Sequence, residues 1–282
     1  MFRDNFLLFT ACLALISCHN EPKGNAKTPH HTQKSGPADM ELRATSDIFA
    51  PAPIKELSFV PNNVASWLGH IIMVDANGDL HRATTNSQVI AVKQGNYVDV
   101  IGLDRPNKAG AFLALTQDKT VHAFIEADNE GNFKSIPVTQ AKMPIKSFCQ
   151  SNDAPENQLW ALTQKGEIAA YDIMFLEESS AVLIHKPDVA DKSACEPLTL
   201  KSGELALAVK PNSPFLHFDD KKAEIIKGLS IEGMTTPGYV ALTHENMGSV
   251  FADGILITAD SETGRLIFIA RSYIMKAMAV EN

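Results

Sequence analysis

Four acidic residues lie where they could hold a common ligand. They fall on or just after the presumed innermost strands of three repeat units: Asp99, Asp104, Glu196 and Glu232. If those strands surround a central channel, the four side chains converge at its mouth and present the oxygen ligands that divalent metal ions accept. The set therefore supports a metal-dependent hydrolase of the phosphatase or esterase kind. Solvated carboxylates at loop edges are the favoured interpretation of the four residues, and the metal site is the alternative.

Two cysteines hold the same register in neighbouring repeat units. Cys149 and Cys195 are 46 residues apart, and each lies ten residues before a predicted strand. Equivalent positions on adjacent inner strands approach each other, and a disulfide needs Cα atoms within about 7 Å. An even pair in an exported, oxidising compartment favours a Cys149–Cys195 disulfide. Two separately buried thiols are the alternative.

No other constellation of side chains indicates a reaction. His81, His122 and His217 each follow the first apolar residue of a hairpin's second strand, but matching positions in different units are too far apart to share one metal ion. Residues 75–79 are predicted to form a type I′ Asn-Gly turn. The sequence has no Gly-x-Ser-x-Gly elbow, no Gly-rich phosphate loop and no Cys-x-x-Cys pair. We therefore expect no cofactor and no resident metal ion.

Repeated β-hairpins are the elements that position these residues. One hairpin joins residues 159–163 to residues 167–173 through a turn that contains Gly166. Strands of the same outline begin at intervals of 42, 46 and 46 residues, at Ile71, Leu113, Leu159 and Leu205. A period of this length with several short strands per unit is typical of propeller blades. The predicted fold is therefore all-β, a β-propeller of about five four-stranded blades.

The C-terminal part of the sequence leaves the number of blades open. Residues 231–243 and residues 255–270 each have the outline of a hairpin. Either a fifth blade includes both, or a truncated sixth blade is present. Residues 54–60 are expected to close the ring against the C-terminus, and residues 272–278 are expected to form a short helix.

The N-terminus carries a targeting signal. The apolar run from Phe6 to Ile16 is too short for a permanent membrane helix. It ends in Leu15-Ile16-Ser17-Cys18, which resembles the lipobox of bacterial lipoproteins. The resemblance implies cleavage before Cys18 and lipid modification of that cysteine, which anchors the chain to a membrane of the cell envelope. His19 stands where an aspartate favours inner-membrane retention, so the outer membrane is favoured.

Three segments follow from this interpretation. Residues 1–17 are a signal peptide, residues 18–53 are a lipidated N-terminus with a disordered tether, and residues 54–282 are the propeller domain. The tether is rich in small and polar residues and has almost no large apolar residue before Met40. Such a composition cannot offset the entropy lost on ordering the chain.

The charge of the protein excludes some partners. Its net charge is −8 and its isoelectric point is near 5.6, without a basic stripe. Nucleic acid and anionic lipid are therefore poor electrostatic partners.

Two short sequence patterns resemble a known family of propellers. Ile231-Glu232-Gly233-Met234 and an Asp-x-x-x-Gly-x-Leu pattern resemble calcium-dependent, phytase-like extracytoplasmic propellers. That resemblance implies the propeller fold alone, because the dense acidic cluster of those enzymes is not matched residue by residue.

The sequence leaves two hypotheses about function. The leading hypothesis is a non-catalytic, membrane-anchored binding scaffold that holds a protein or small-molecule ligand at one face of the propeller. The alternative is the metal-dependent hydrolase with its site at the channel mouth.

Overall fold

Antiparallel sheets make up most of the described chain. The structure, a computed structural model, describes residues 40–128, 130–140, 145–149, 158–186, 208–209, 216–217, 229–231, 237–243, 245–260 and 262–279. All of them belong to one compact unit, residues 37–282. Within these residues the only α-helix is α1 (Arg271–Ala279), so the predicted all-β class and the short terminal helix are both confirmed. No helix in the described part of the chain is long and apolar enough to cross a membrane.

Two short strands lie in the segment that the sequence assigned to the tether. Strand β1 (Met40–Leu42) pairs in parallel with residues 229–231, and β2 (Ser46–Phe49) pairs antiparallel with residues 265–270. The tether therefore ends earlier than residue 53. The prediction was wrong here because a four-residue strand has too little periodicity to show in the sequence, and its order comes from a partner more than 200 residues away.

The first and second sheets confirm the hairpin repeat. Each has four strands, and each strand is antiparallel to the one before it. The first sheet contains β3 (Ile54–Val60), β4 (His70–Asp75), β5 (Leu80–Ala83) and β6 (Ile90–Lys93), and the second contains β7 (Tyr97–Leu103), β8 (Ala111–Thr116), β9 (Val121–Glu126) and β10 (Phe133–Ile136). Strands β4 and β8 are buried at every position because both faces of their sheets are covered.

The third sheet has a fifth strand at its edge. Strand β11 (Val138–Gln140) runs parallel to the last strand of this sheet. The other four strands are antiparallel: β12 (Ile145–Phe148), β13 (Gln158–Thr163), β14 (Ile168–Leu176) and β15 (Ser180–Lys186). A further antiparallel pair, β16 (Ala208–Val209) and β17 (Leu216–His217), lies where the sequence predicts the next hairpin.

The two hairpin patterns near the C-terminus belong to one sheet, which we call the closing sheet. Its strands are ordered β19 (Pro237–Thr243), β20 (Ile255–Asp260), β21 (Arg265–Ala270) and β2. The short strand before it, β18 (Leu229–Ile231), pairs with β1 instead. Strand β3, expected to close the ring against the C-terminus, packs against the closing sheet but is hydrogen-bonded within the first sheet. The strand that pairs with the C-terminal strand is β2.

The hydrophobic core consists of layers between successive sheets. On β4, Ile71 and Met73 join a cluster with the closing sheet, whereas Ile72 and Val74 join a cluster with the second sheet. On β8, Phe112 faces the first sheet and Leu113 belongs to the cluster shared with the third sheet. Since side chains alternate along a strand, each continuous apolar strand supplies two layers. The four sheets therefore stack face to face in the order closing, first, second, third.

Tight turns of one type connect β4 to β5, β8 to β9 and β13 to β14. Gly78, Lys119 and Gly166 have φ angles of 87°, 69° and 78°, and each N–H bonds to the carbonyl oxygen three residues earlier. Asn77 does not have a positive φ, so the predicted type I′ turn is wrong. The geometry is a type I turn followed by one left-handed residue, the usual three-residue hairpin loop.

Candidate binding surface

Asp99, one of the four predicted site carboxylates, holds two sheets together. It lies on β7 and is buried, and its Oδ2 accepts the backbone N–H of Phe148 on β12 at 2.6 Å. Burial raises the pKa of Asp99 to about 7, against the opposing effects of the N–H groups of Phe148 and Val100 and the charge of Lys119. This side chain therefore stabilises the contact between the second and third sheets.

Asp104 lies at the other end of the same strand. It is exposed, and one of its carboxylate oxygens accepts the side-chain amide of Asn63. Asp104 is five positions along the extended chain from Asp99, roughly 16 Å, so these two side chains cannot share a metal ion. Glu196 and Glu232 lie outside the described residues. Among the residues that are described, no group of three histidine, cysteine or acidic side chains could hold a metal ion.

Of the cysteines singled out in the sequence, the structure describes Cys149. Cys149 directly follows β12, is buried and is disulfide-bonded. Cys195, its predicted partner, and Cys18, the predicted lipidation site, lie outside the described residues.

The histidines at matching hairpin positions have separate local partners. His81 Nε2 lies 3.0 Å from Asp75 Oδ2 in the first sheet, and His122 Nδ1 lies 3.1 Å from the hydroxyl of Tyr97 in the second. Burial and the nearby charge of Lys93 lower the pKa of His122. The side chain of His217 is not among those described. The two described histidines thus serve their own sheets and do not form a joint site.

A buried junction around Glu126 was not foreseen from the sequence. Glu126 Oε2 accepts the side-chain amide of Asn62 at 2.9 Å and the N–H of Gly110 at 3.0 Å, while Oε1 lies 3.2 Å from Nε2 of His70. These residues come from both the first and second sheets, so one carboxylate connects three loop or strand ends. No local sequence signal indicates it, because the partners are up to 64 residues apart.

The junction orders the loop between β3 and β4, residues 61–69, which we call the Trp67 loop. Its Asn62 uses the side-chain oxygen to accept the N–H groups of Val64 and Ala65. A 3-10 turn, Ser66–Leu68, then presents Trp67 outward. The position of Trp67 is therefore set by a hydrogen-bonded frame whose base is buried.

A second ordered loop lies beside it. Residues 245–254, the Val250 loop, connect β19 to β20 and are anchored by the buried side chains of Met247 and Phe251. Gly248 and Ser249 have φ angles of 79° and 48°, and the strained Ser249 costs on the order of 1–3 kcal/mol that the anchors must offset. The hydroxyl of Ser66 donates to the carbonyl oxygen of Asn246 at 2.9 Å, so the two loops touch.

Together the two loops expose a small apolar surface, which we call the apolar cap. It consists of Val64, Trp67 and Val250, whose exposed fractions are 71%, 62% and 53%. The Trp67 loop contains no charged side chain, and the Val250 loop contains only the acidic residues Glu245 and Asp253 near its ends. Large apolar side chains that are this exposed and grouped are typical of a contact surface. A tryptophan in an uncharged loop was the only sequence signal that could have pointed to it.

Comparison with known proteins adds no family. No protein-family model and no curated protein matches the chain. Among solved structures, a chain in an S. cerevisiae assembly of a Dbp5 variant bound to Nup159, a Gle1 variant, IP6 and ADP matches 78% of this chain and 65% of its own length, at 12% identity and a TM-score of 0.29. A TM-score this low supports no argument about fold or function.

Proposed function

We propose that the protein is a lipid-anchored lipoprotein of the bacterial cell envelope whose domain is a five-bladed β-propeller. The face-to-face order of closing, first, second and third sheets supports the propeller. The pairing of β2 with β21 also supports it, because a ring whose last sheet contains strands from both termini is closed non-covalently.

The fifth blade would lie between the third and closing sheets. The face of the third sheet that does not contact the second sheet exposes Met174, Leu176 and Ile184. An apolar sheet face requires cover, and the unit that contains β16 and β17 is the next one along the chain. A Cys149–Cys195 disulfide would join the third sheet to the start of that unit. Peptide mapping without reduction tests the pairing, and a Cys149 peptide linked to any partner other than Cys195 contradicts it.

The envelope location depends on the lipobox. Cleavage before Cys18 and acylation of its thiol and new N-terminus would anchor the domain through the preceding tether, with the outer membrane favoured by His19. Mass spectrometry of the mature N-terminus tests this. An intact Met1 or an unmodified Cys18 would refute it.

The biochemical role that fits best is a binding scaffold. The observation that carries this proposal is the apolar cap, because its three side chains are exposed on loops that are already ordered by buried residues. A preformed surface binds without the loss of loop entropy that a flexible surface would incur. No observation favours the hydrolase, since Asp99 is engaged between sheets and Asp104 lies at the far end of its strand.

In-cell photo-crosslinking tests the scaffold proposal. A photoreactive amino acid replaces Trp67 in one strain and Phe49 in another. Phe49 is the matched control because it is an aromatic residue with a 64% exposed side chain on β2, outside the apolar cap. We expect adducts with an envelope component from position 67 and not from position 49. Equal yields from the two positions would contradict a specific contact surface.

A further inference from the structure

The N-terminal segment joins the closing sheet from the same side as the apolar cap. In β2, Ser46 pairs with Phe268 near the end of β21, and Phe49 pairs with Arg265 at its start. The hydroxyl of Thr45 accepts the N–H of Ala270, and the next residue, Arg271, donates its N–H to the carbonyl oxygen of Gly254. Thr45 therefore lies beside the end of the Val250 loop.

The directions of the strands give the same placement of Thr45 without reference to hydrogen bonds of the loops. Strand β20 begins directly after the Val250 loop, at Ile255, and Ile255 pairs with Ala270. Strand β3 ends at Val60, directly before the Trp67 loop. Both loops and the start of β2 thus lie on one side of the sheets, which we call the loop side. Toward Cys18 the chain continues from Thr45 into β1, which contacts α1, the helix that begins on the loop side at Arg271.

This placement determines which surface a lipid anchor brings to the membrane. Twenty-two positions separate Cys18 from Met40, the first residue of β1, and a flexible linker of that length would have an r.m.s. extent of roughly 26 Å. A tether of that extent from the loop side keeps the apolar cap close to the bilayer at a high effective concentration. Even a weak affinity of the cap for the bilayer is then sufficient for contact.

The chemistry of the cap fits the interface of an uncharged bilayer. Tryptophan is favoured at the membrane–water boundary because its ring is apolar and its N–H can remain hydrated. Val64 and Val250 add aliphatic surface, and the loops contain no lysine or arginine that would select anionic lipid. The net charge of −8 also disfavours an anionic surface.

We propose that the apolar cap inserts into the zwitterionic interface of the membrane that carries the lipid anchor. Contact through Val64, Trp67 and Val250 orients the domain, with the turns at the opposite ends of the sheets directed away from the bilayer. This proposal rests on the proposed lipid anchor and identifies the component that the cap contacts. Protruding side chains on loop tips insert into a fluid interface without needing a complementary pocket, which a folded protein partner would have to supply.

Fluorescence of Trp67 on vesicles tests the proposal. The chain has two tryptophans, so Trp160→Phe leaves Trp67 as the sole reporter, and Trp67→Phe leaves Trp160 as the matched control. Each mature chain is attached through the thiol of Cys18 to a maleimide phospholipid in phosphatidylcholine vesicles, with or without bromine on the acyl chains. Brominated lipid should quench about half of the Trp67 emission and much less of the Trp160 emission.

Two further measurements test whether the apolar side chains themselves make the contact. Val64→Ser with Val250→Ser should reduce the quenching of Trp67 several-fold while leaving the circular dichroism unchanged, because both side chains are exposed. Added salt at about 0.5 M should leave the quenching unchanged, because the contact involves no charge. Equal quenching of Trp67 and Trp160, or loss of quenching in salt, would overturn the proposal.

The experiment separates this proposal from the proposed lipid anchor. The coupled phospholipid replaces natural acylation, so the vesicle result holds even if mass spectrometry finds Cys18 unmodified in the cell. Conversely, a crosslinker at position 67 that yields a defined protein adduct and no lipid adduct would exclude the bilayer contact and leave the anchor intact.

Discussion

The two ends of the described sheets are stabilised over very different sequence distances. One end of the sheets carries the tight turns, and we call it the turn side. There a side-chain oxygen at the first residue of a turn accepts N–H groups two to four residues later, as in the turns that begin at Asp75, Thr116, Thr163 and Asp260. At the loop side, hydrogen bonds connect residues 41, 64 and 180 positions apart. The turn side is therefore built by local interactions that each repeat reproduces.

The contrast explains where a distinctive surface can arise. A hairpin turn with its own cap folds in the same way in every repeat, so it adds no specificity. Loops that depend on other loops differ from one sheet to the next, as binding loops on rigid scaffolds commonly do. The apolar cap lies on the side where the repeats have diverged, and the following changes test that division.

Removal of the carboxylate at the centre of the loop side should have the largest effect. Glu126→Ala leaves the amide of Asn62, the N–H of Gly110 and Nε2 of His70 without their buried partner, and should lower the free energy of unfolding by about 3 kcal/mol. Urea denaturation measures it. Glu126→Gln keeps an acceptor of the same shape and should cost less than half as much. A loss below about 1 kcal/mol for the alanine variant would show that the loops are ordered independently.

The contact of Asp99 between sheets should make stability depend on pH. Its folded pKa of about 7 lies above the ordinary value of 3.8, so between these values the native state binds more protons than the unfolded state. The free energy of unfolding should therefore fall as pH rises from about 4 to about 7, by roughly 3 kcal/mol. Asp99→Asn removes this titration, and the difference between the two pH profiles isolates it. Parallel profiles would contradict the raised pKa.

Alanine in the tight turns should have moderate and unequal effects. Gly166→Ala meets no atom within 4 Å, so it should cost only the strain of the left-handed backbone, about 1 kcal/mol. Gly78→Ala places its Cβ 3.1 Å from Cα of Asn96 and should cost more, about 2 kcal/mol. Thermal unfolding monitored by circular dichroism ranks the two variants. A larger loss of stability for Gly166→Ala than for Gly78→Ala would contradict this account of the two turns.

Lys119 occupies the same left-handed position without the freedom of glycine. Lys119→Gly should relieve backbone strain and raise the free energy of unfolding slightly, by about 0.5 kcal/mol after the entropy of glycine in the unfolded chain is subtracted. The side chain of Lys119 makes a long hydrogen bond, 3.4 Å, to the carbonyl oxygen of Lys146, and its charge acts on Asp99. The glycine and alanine variants both lose these interactions. Lys119→Ala keeps the strain and is the control. Equal stability of the two variants would argue against strain at this turn.

The accuracy of the sequence-based predictions followed the same division. The hairpins at residues 71–80 and 159–173 were predictable because apolar strands, polar turns and their spacing are local signals. Strand β2 was missed because its order depends on β21. Asp99 was recognised as unusual on an inner strand, but its partner, a backbone N–H on another sheet, left no trace in the sequence.

The amino-acid sequence by itself determined the all-β class, the period of the hairpins and the strands that are apolar on both faces, because side-chain alternation and turn chemistry act between near neighbours. Only the tertiary structure decided which strand closes the last sheet, how Glu126 joins two sheets and which side of the sheets carries Val64, Trp67 and Val250. Those features depend on contacts between residues far apart in the chain. Such contacts form only when the sheets stack, so no periodicity in the sequence can encode them visibly.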